Sequence, residues 1–173
     1  KIGLIVFAGN AYTQMPITTD GVSAKMFLNE ISTNMVPSQG TAIGSAIKLA
    51  MNSFTKNEKT QKAIIIITDG ENHEDDAVAM AKEAKEKGIQ VNVVGMGTVR
   101  GSQIPLENGQ LMKDYDGNVV TTRLNETMAK DIAIAGGGLY VSGNSTDAVK
   151  ILDEQLQKLA KTELETTVYS AHN

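Results

Sequence analysis

Apolar and polar positions change their period repeatedly along the chain, and each change marks an element. Ile2 to Phe7 is a nearly unbroken apolar run and predicts a strand. Tyr12 to Thr18 is weaker, and Pro16 within it predicts an edge strand or a loop. Asp20-Gly21 has turn chemistry. Val22, Met26, Phe27 and Ile31 then recur at helical spacing, and Pro37 to Gly40 breaks the pattern. In the stretch Gly40 to Phe54, Ile43, Ile47, Ala50, Met51 and Phe54 form one stripe. This predicts an amphipathic helix with Thr41 at its start. Ala63 to Thr68 holds four consecutive isoleucines, as a central parallel strand buried on both faces would. Glu74, Asp75 and Asp76 lead into a helix that continues to Lys87, and Gly88 ends it. Gln90 to Gly97 is a Val-rich strand. Leu124, Met128 and Ile132 share one side of a helix through Ala135, which Gly136 to Gly138 break. Leu139 to Ser142 predicts a last short strand, and Val149, Leu152, Leu156 and Leu159 face one way on a final helix.

Strands alternating with helices indicate an α/β fold with a mostly parallel, doubly wound sheet and helices on both faces. One segment leaves that rhythm. Ser102 to Arg123 has no helical pattern, and Asp116-Gly117 lies between QLMKDY and NVVTTR, a hairpin signal of the type I′ kind. A small antiparallel flap inserted near residues 102–123 is expected. Residues 1–160 form the domain and 161–173 a tail.

Bulk properties narrow the function. The chain has 173 residues, 41% of them hydrophobic, enough for one domain with a real core. A net charge of −4 argues against a nucleic-acid partner, which needs a basic face. With no cysteine, thiolate metal sites, disulfides and a cysteine nucleophile are excluded. No apolar run has the length of a membrane span. Lys1 enters a buried strand at once, so the sequence is expected to be a fragment of a longer protein.

Candidate chemistry gathers at two places. Asp69 puts a carboxylate at the carboxyl end of the isoleucine strand, where open α/β sheets hold their ligands, and Gly70 permits a tight turn. Thr41 offers a hydroxyl at a helix start between Gly40 and Gly44. Both are hard oxygen donors of the kind Mg²⁺ takes, about six in an octahedron with water in the unused positions. On these residues alone, Asp69 as ligand and Asp69 as turn former both stay open, as do Thr41 as ligand and as helix cap. His73 reads as an exposed loop residue, and Glu74, Asp75 and Asp76 as a helix start favoured by the dipole. Gly136 to Gly138 reads as a helix stop, since GxGxxG is absent.

GTAIG around Thr41 and IIIITDGENHEDD around Asp69 resemble the second and third motifs of a von Willebrand factor type A domain. KIGLIVFAGNAYTQMPIT, VVGMGT and the order of elements fit as well. DGENHEDDA, KDYDGNVVTTRLNE and IAIAGGGLYV resemble one bacterial branch, the membrane-anchored Bat proteins linked to aerotolerance. The resemblance implies that Thr41 and Asp69 are ligands of a metal-ion-dependent adhesion site holding Mg²⁺, Mn²⁺ or Ca²⁺. It implies a binding module, not an enzyme, whose protein partner completes the ion with an acidic side chain. The loops Gly9–Gln14, Pro37–Thr41 and Asp69–His73 would surround the contact, with Gly9, Asn10, Gly40, Gly70, Glu71 and Asn72 facing the partner. The branch further implies a membrane anchor beyond the tail, a domain facing the periplasm, and links to MoxR-type AAA+ ATPases and other type A proteins of the same system.

The family's first motif, Asp-x-Ser-x-Ser, does not occur before Thr41. Lys1 corresponds to the start of the family's second strand. The first strand and first helix are therefore expected to be missing, and that strand normally lies between Ile2–Phe7 and Ala63–Thr68. Two consequences are expected. Mg²⁺ binds this sequence weakly or not at all, and the gap closes or is filled by another chain in a strand-exchanged homo-oligomer. The competing functions are a Mg²⁺-dependent hydrolase or phosphotransferase using Asp69, and a scaffold needing no metal. No Walker lysine motif, Asp-x-Asp after the strand, or base near a nucleophile supports the enzyme.

Overall fold

In a computed structural model the elements follow as β1 (Ile2–Phe7), β2 (Ala11–Thr18), α1 (Gly21–Asn29), α2 (Ile43–Ser53), β3 (Lys62–Thr68), α3 (Ala77–Glu86), β4 (Ile89–Gly95), β5 (Ser102–Gln103), β6 (Thr121–Thr122), α4 (Glu126–Ala135), β7 (Gly137–Ser142) and α5 (Ala148–Ser170). The structure describes residues 1–32, 35–36, 40–55, 60–70, 76–103, 106, 109–111, 113, 116–119 and 121–170, with backbone alone for 102, 122 and 161–170.

β3, β4 and β7 form a parallel sheet in that order. Ile64 pairs with Val91 and Ile66 with Val93, so these four side chains line one face. Against that face lie Ile43, Ile47 and Met51 of α2, Ala77, Ala81 and Ala84 of α3, and Ala129, Ile132 and Ala133 of α4. The alanines let the helices sit close to the strands. Each large side chain in this layer stabilises the fold by about 1.5–3 kcal/mol through burial.

The opposite face is covered only in part. α5 packs on β7, and Val94 and Val141 are buried. Ile65 and Ile67 lie on the same side as Val94 but are 42% and 63% exposed. The expected burial of the isoleucine run on both faces is thus corrected to one face. Alternation along the strand buries Ile64 and Ile66, while no described helix reaches across β3 on the other side.

β1 and β2 pair antiparallel in a separate sheet, and among the described residues β1 and β3 do not pair. Pro16 sits exposed in β2, as an edge strand requires. Asp20, read as a turn residue, is the N-cap of α1 and accepts from the amides of Val22 and Ser23. Its carboxyl is held below the ordinary carboxylate range, chiefly by the Ser23 hydroxyl. The cap's contribution is therefore full at neutral pH and is lost as pH falls through that lowered value. Asp76 caps α3 in the same way through the Ala79 amide.

The inserted flap is present. β5 pairs antiparallel with β6, Lys113 bridges Val119, and Gly117 takes φ +85° in the turn between them. α5 runs on across residue 160, where the tail was expected to begin.

Candidate metal centre

The turns that carry Thr41 and Asp69 are both fixed by main-chain hydrogen bonds. After β1, the Ala8 amide donates to the Asn10 carbonyl at 2.9 Å. The approach to α2 is tied to this same turn, because the Ala42 amide donates to the Ala8 carbonyl at 2.7 Å. Thr41 is adjacent to that bond and half-buried. Ala42, not Thr41, occupies the cap position of α2, and no side chain among the described residues caps the helix. The expected capping role of Thr41 is therefore corrected. The chain enters the helix one residue later, and the Thr41 hydroxyl is not engaged by it.

Asp69 follows β3 directly. The carbonyl of buried Thr68 accepts from the Met96 amide at 2.7 Å, and its Oγ1 accepts from the Gly70 amide at 3.1 Å. The Asp69 carbonyl accepts from the Asn125 amide at 2.9 Å. Asn125 also caps α4, its Oδ1 accepting from the Met128 amide at 3.1 Å. The Asp69 main chain is thus held between the neighbouring strand and a helix start, and its side chain is half-buried.

α2 precedes β3, packs on the same core face and must run against it to feed it. Its first turn therefore lies at the end of the fold where β3 finishes. Thr41 and Asp69 share that end, together with Ala8, Gly9 and Asn10.

The other expected contact residues divide. Gly9 is half-buried and Asn10 exposed, both in the turn bonded to the Thr41 segment. Gly40 is exposed at φ +124°. Gly70, expected to face a partner, is buried at φ +78°, and a Cβ there would overlap the Asn125 carbonyl. It seats Asn125 and offers no surface. Glu71 and Asn72 lie outside the described residues, as do His73, Glu74 and Asp75. Sequence reasoning missed Asn125. Its signal was available: an Asn just before a periodic apolar stretch, the usual mark of a helix cap.

Among the described residues no cluster of three or more His, Cys, Asp or Glu side chains could hold an ion. Thr41 and Asp69 would supply two hard oxygens of the about six that such an ion takes. They fit as part of a divalent-cation site and do not form a closed one by themselves.

The Tyr140 hydroxyl is buried against Gly95, and among the described residues it has no hydrogen-bond partner. Burial pushes its pKa up, and the Glu126 carboxylate adds to the shift. The phenol stays protonated at neutral pH and is no general base. The Lys130 ammonium sits 5.4 Å from the ring centre and pairs with Glu126 at 3.3 Å.

The chain belongs to the von Willebrand factor type A domain family, whose model matches residues 1–173. It is similar to BatB from Bacteroides thetaiotaomicron, a conserved hypothetical protein of solved structure. The two are 52% identical with a TM-score of 0.88, over 92% of this chain and 78% of that one. It is equally similar to an aerotolerance-related membrane protein from Bacteroides fragilis, 52% identical with a TM-score of 0.85, over 90% of this chain and 78% of that one. An uncharacterized protein of Borreliella burgdorferi is 26% identical over 153 residues, which is 83% of this chain and 42% of that protein. The chain spans about half the length, or less, of the curated relatives it matches. None of its described helices is long and apolar enough to cross a membrane.

Proposed function

We propose that this domain is a metal-ion-dependent protein-binding module, with Thr41 and Asp69 as two ligands of a Mg²⁺, Mn²⁺ or Ca²⁺ ion. The observation that carries the reading is the pair of anchored turns at one end of the fold. One presents Thr41, the other Asp69, in a chain of a family whose motifs at these positions build an adhesion site. The remaining protein ligands are those of Asp-x-Ser-x-Ser, which the 173-residue sequence does not contain. The ion supplies an open position for an acidic side chain of the partner. The protein residues hold the ion and orient the loops around it, and no bond is made or broken.

The name of the aerotolerance-related membrane protein supports a membrane setting tied to aerotolerance; an anchor to that membrane and a domain facing the periplasm are part of this proposal. A MoxR-type AAA+ ATPase and other type A proteins of the same system are the proposed partners. Capture experiments with the full-length protein test the reading. Partners should be retained in Mg²⁺ and released by a chelator, and Asp69→Ala should lose them in both conditions. An unchanged partner list under chelation would favour the scaffold reading. Steady phosphatase or ATPase turnover that disappears in Asp69→Ala would favour the enzyme.

Among the described residues β1 and β3 do not pair with each other, and Ile65 and Ile67 on β3 are exposed; the missing pairing supports a second, separate proposal. The 173-residue chain on its own associates through this gap by strand exchange. Sedimentation should show concentration-dependent dimers or larger species, and a clean monomer at high concentration would rule this out.

A further inference from the structure

The flap carries an unusual choice of basic residue. Arg100 and Arg123 are the only arginines in the chain, and its other permanently cationic side chains are lysines. They stand at the two ends of the flap. Ser102 pairs with Thr122, so Gly101 lies opposite Arg123, and Arg100 is the next residue along. Arg123 folds across Gly101, with its Cγ and Nε 2.9 and 3.3 Å from where a Cβ would sit. Both arginines are exposed, and among the described residues neither pairs with an acidic side chain.

This base is tied by main-chain hydrogen bonds to the same end of the fold as Asp69. The Gly101 and Leu124 amides both donate to the Thr98 carbonyl at 3.1 Å. The next amide, that of Asn125, donates to Asp69. Arg123 is two residues away from that bond, roughly 7 Å of chain at most. Guanidinium groups match carboxylates with two parallel hydrogen bonds, which lysine cannot do. Two arginines at the base of one flap, in a chain whose other cationic residues are lysines, suit an anion that both reach.

We propose that Arg100 and Arg123 bind a second carboxylate of the partner segment whose first carboxylate completes the cation at Asp69. This rests on the reading of Thr41 and Asp69 as ion ligands. An extended peptide advances about 3.3 Å per residue, so both acids fall within one short segment, about two to four residues apart. Val99, next to Arg100 in the chain and 63% exposed, gives that segment an apolar contact. A peptide fits this mixture better than a bare phosphate does.

The test uses full-length protein in Mg²⁺ and fluorescent ten-residue Gly/Leu peptides. One peptide carries a single Asp, the other an Asp and a Glu three residues apart. The two-acid peptide should bind at least tenfold more tightly. The Arg100→Gln/Arg123→Gln variant should lose that preference and keep the single-acid affinity. Arg100→Lys/Arg123→Lys should retain only part of it, since the charge remains and the fork is lost. Equal affinities in the parent protein, absence of binding by either peptide, or a preference unchanged in the Gln variant would each overturn the proposal. Chelation separates this claim from the one beneath it. Loss of both peptides supports the cation. An arginine-dependent preference that survives chelation keeps the arginine pair and removes the cation.

Discussion

Gly70→Ala should lower the stability of the 173-residue chain by about 2–4 kcal/mol, one of the largest effects of any single methyl group in this fold. Two costs combine. Gly70 takes φ +78°, which an alanine adopts at a cost of about 1–2 kcal/mol. The new Cβ would also overlap the Asn125 carbonyl, so the start of α4 must move or the turn must open. Gly88 separates the two costs. It has φ +75° but nothing within 4 Å of its Cβ position, so Gly88→Ala should cost only about 1–2 kcal/mol. Gly70→Asn relieves the backbone strain, since asparagine tolerates this region, and leaves the overlap. It should therefore stay clearly worse than Gly88→Asn. Urea unfolding of the four variants measures all of this. Equal losses at positions 70 and 88 would show that Asn125 does not crowd the Asp69 turn.

Much of this architecture is legible in the sequence, because local period and cap chemistry decide where elements begin. The isoleucine run, the amphipathic α2, the stop at Gly88 and the Asp-Gly flap all declare themselves in a few residues. What covers a strand is not local. Ile65 and Ile67 belong to an apolar run as good as any buried on both faces, yet their exposure depends on which elements lie across β3. Buried polar groups are equally hidden from an apolar pattern. Asn92 sits fully buried in a Val-rich strand, where its Oδ1 accepts from the Leu139 amide at 3.0 Å and its Nδ2 donates to Gln90 Oε1 at 3.2 Å. It holds β7 where the register with β4 shifts between Val91 and Val93. The glycine triplet reads as a helix stop, and Gly136 does end α4. Gly138 has a different task, because a Cβ there would overlap the Val91 carbonyl. At the site, two hard oxygens and their glycines were visible. The clamp on Asp69 was not, because the bond from Asn125 joins residues 56 positions apart in sequence.

Asp69→Ala in the full-length protein should remove divalent-cation binding almost entirely, and Thr41→Val should weaken it by roughly tenfold. A carboxylate contributes charge as well as a donor atom to a hard cation, whereas a hydroxyl contributes a donor alone. Valine keeps the shape of threonine and removes its oxygen, so the turn tied to Ala8 should be preserved. Both variants should unfold near the parent's denaturant midpoint, because each turn keeps anchors that do not involve the substituted side chain. Those anchors are main-chain bonds at Ala42 and Asn125.

The proposal that two oxygens on different turns serve one ion is tested most directly by a Mn²⁺ titration of the full-length protein with its Thr41→Val and Asp69→Ala variants. One site in the parent, about tenfold weaker in Thr41→Val and absent in Asp69→Ala, is the predicted outcome. Undiminished Mn²⁺ affinity in either variant would contradict it.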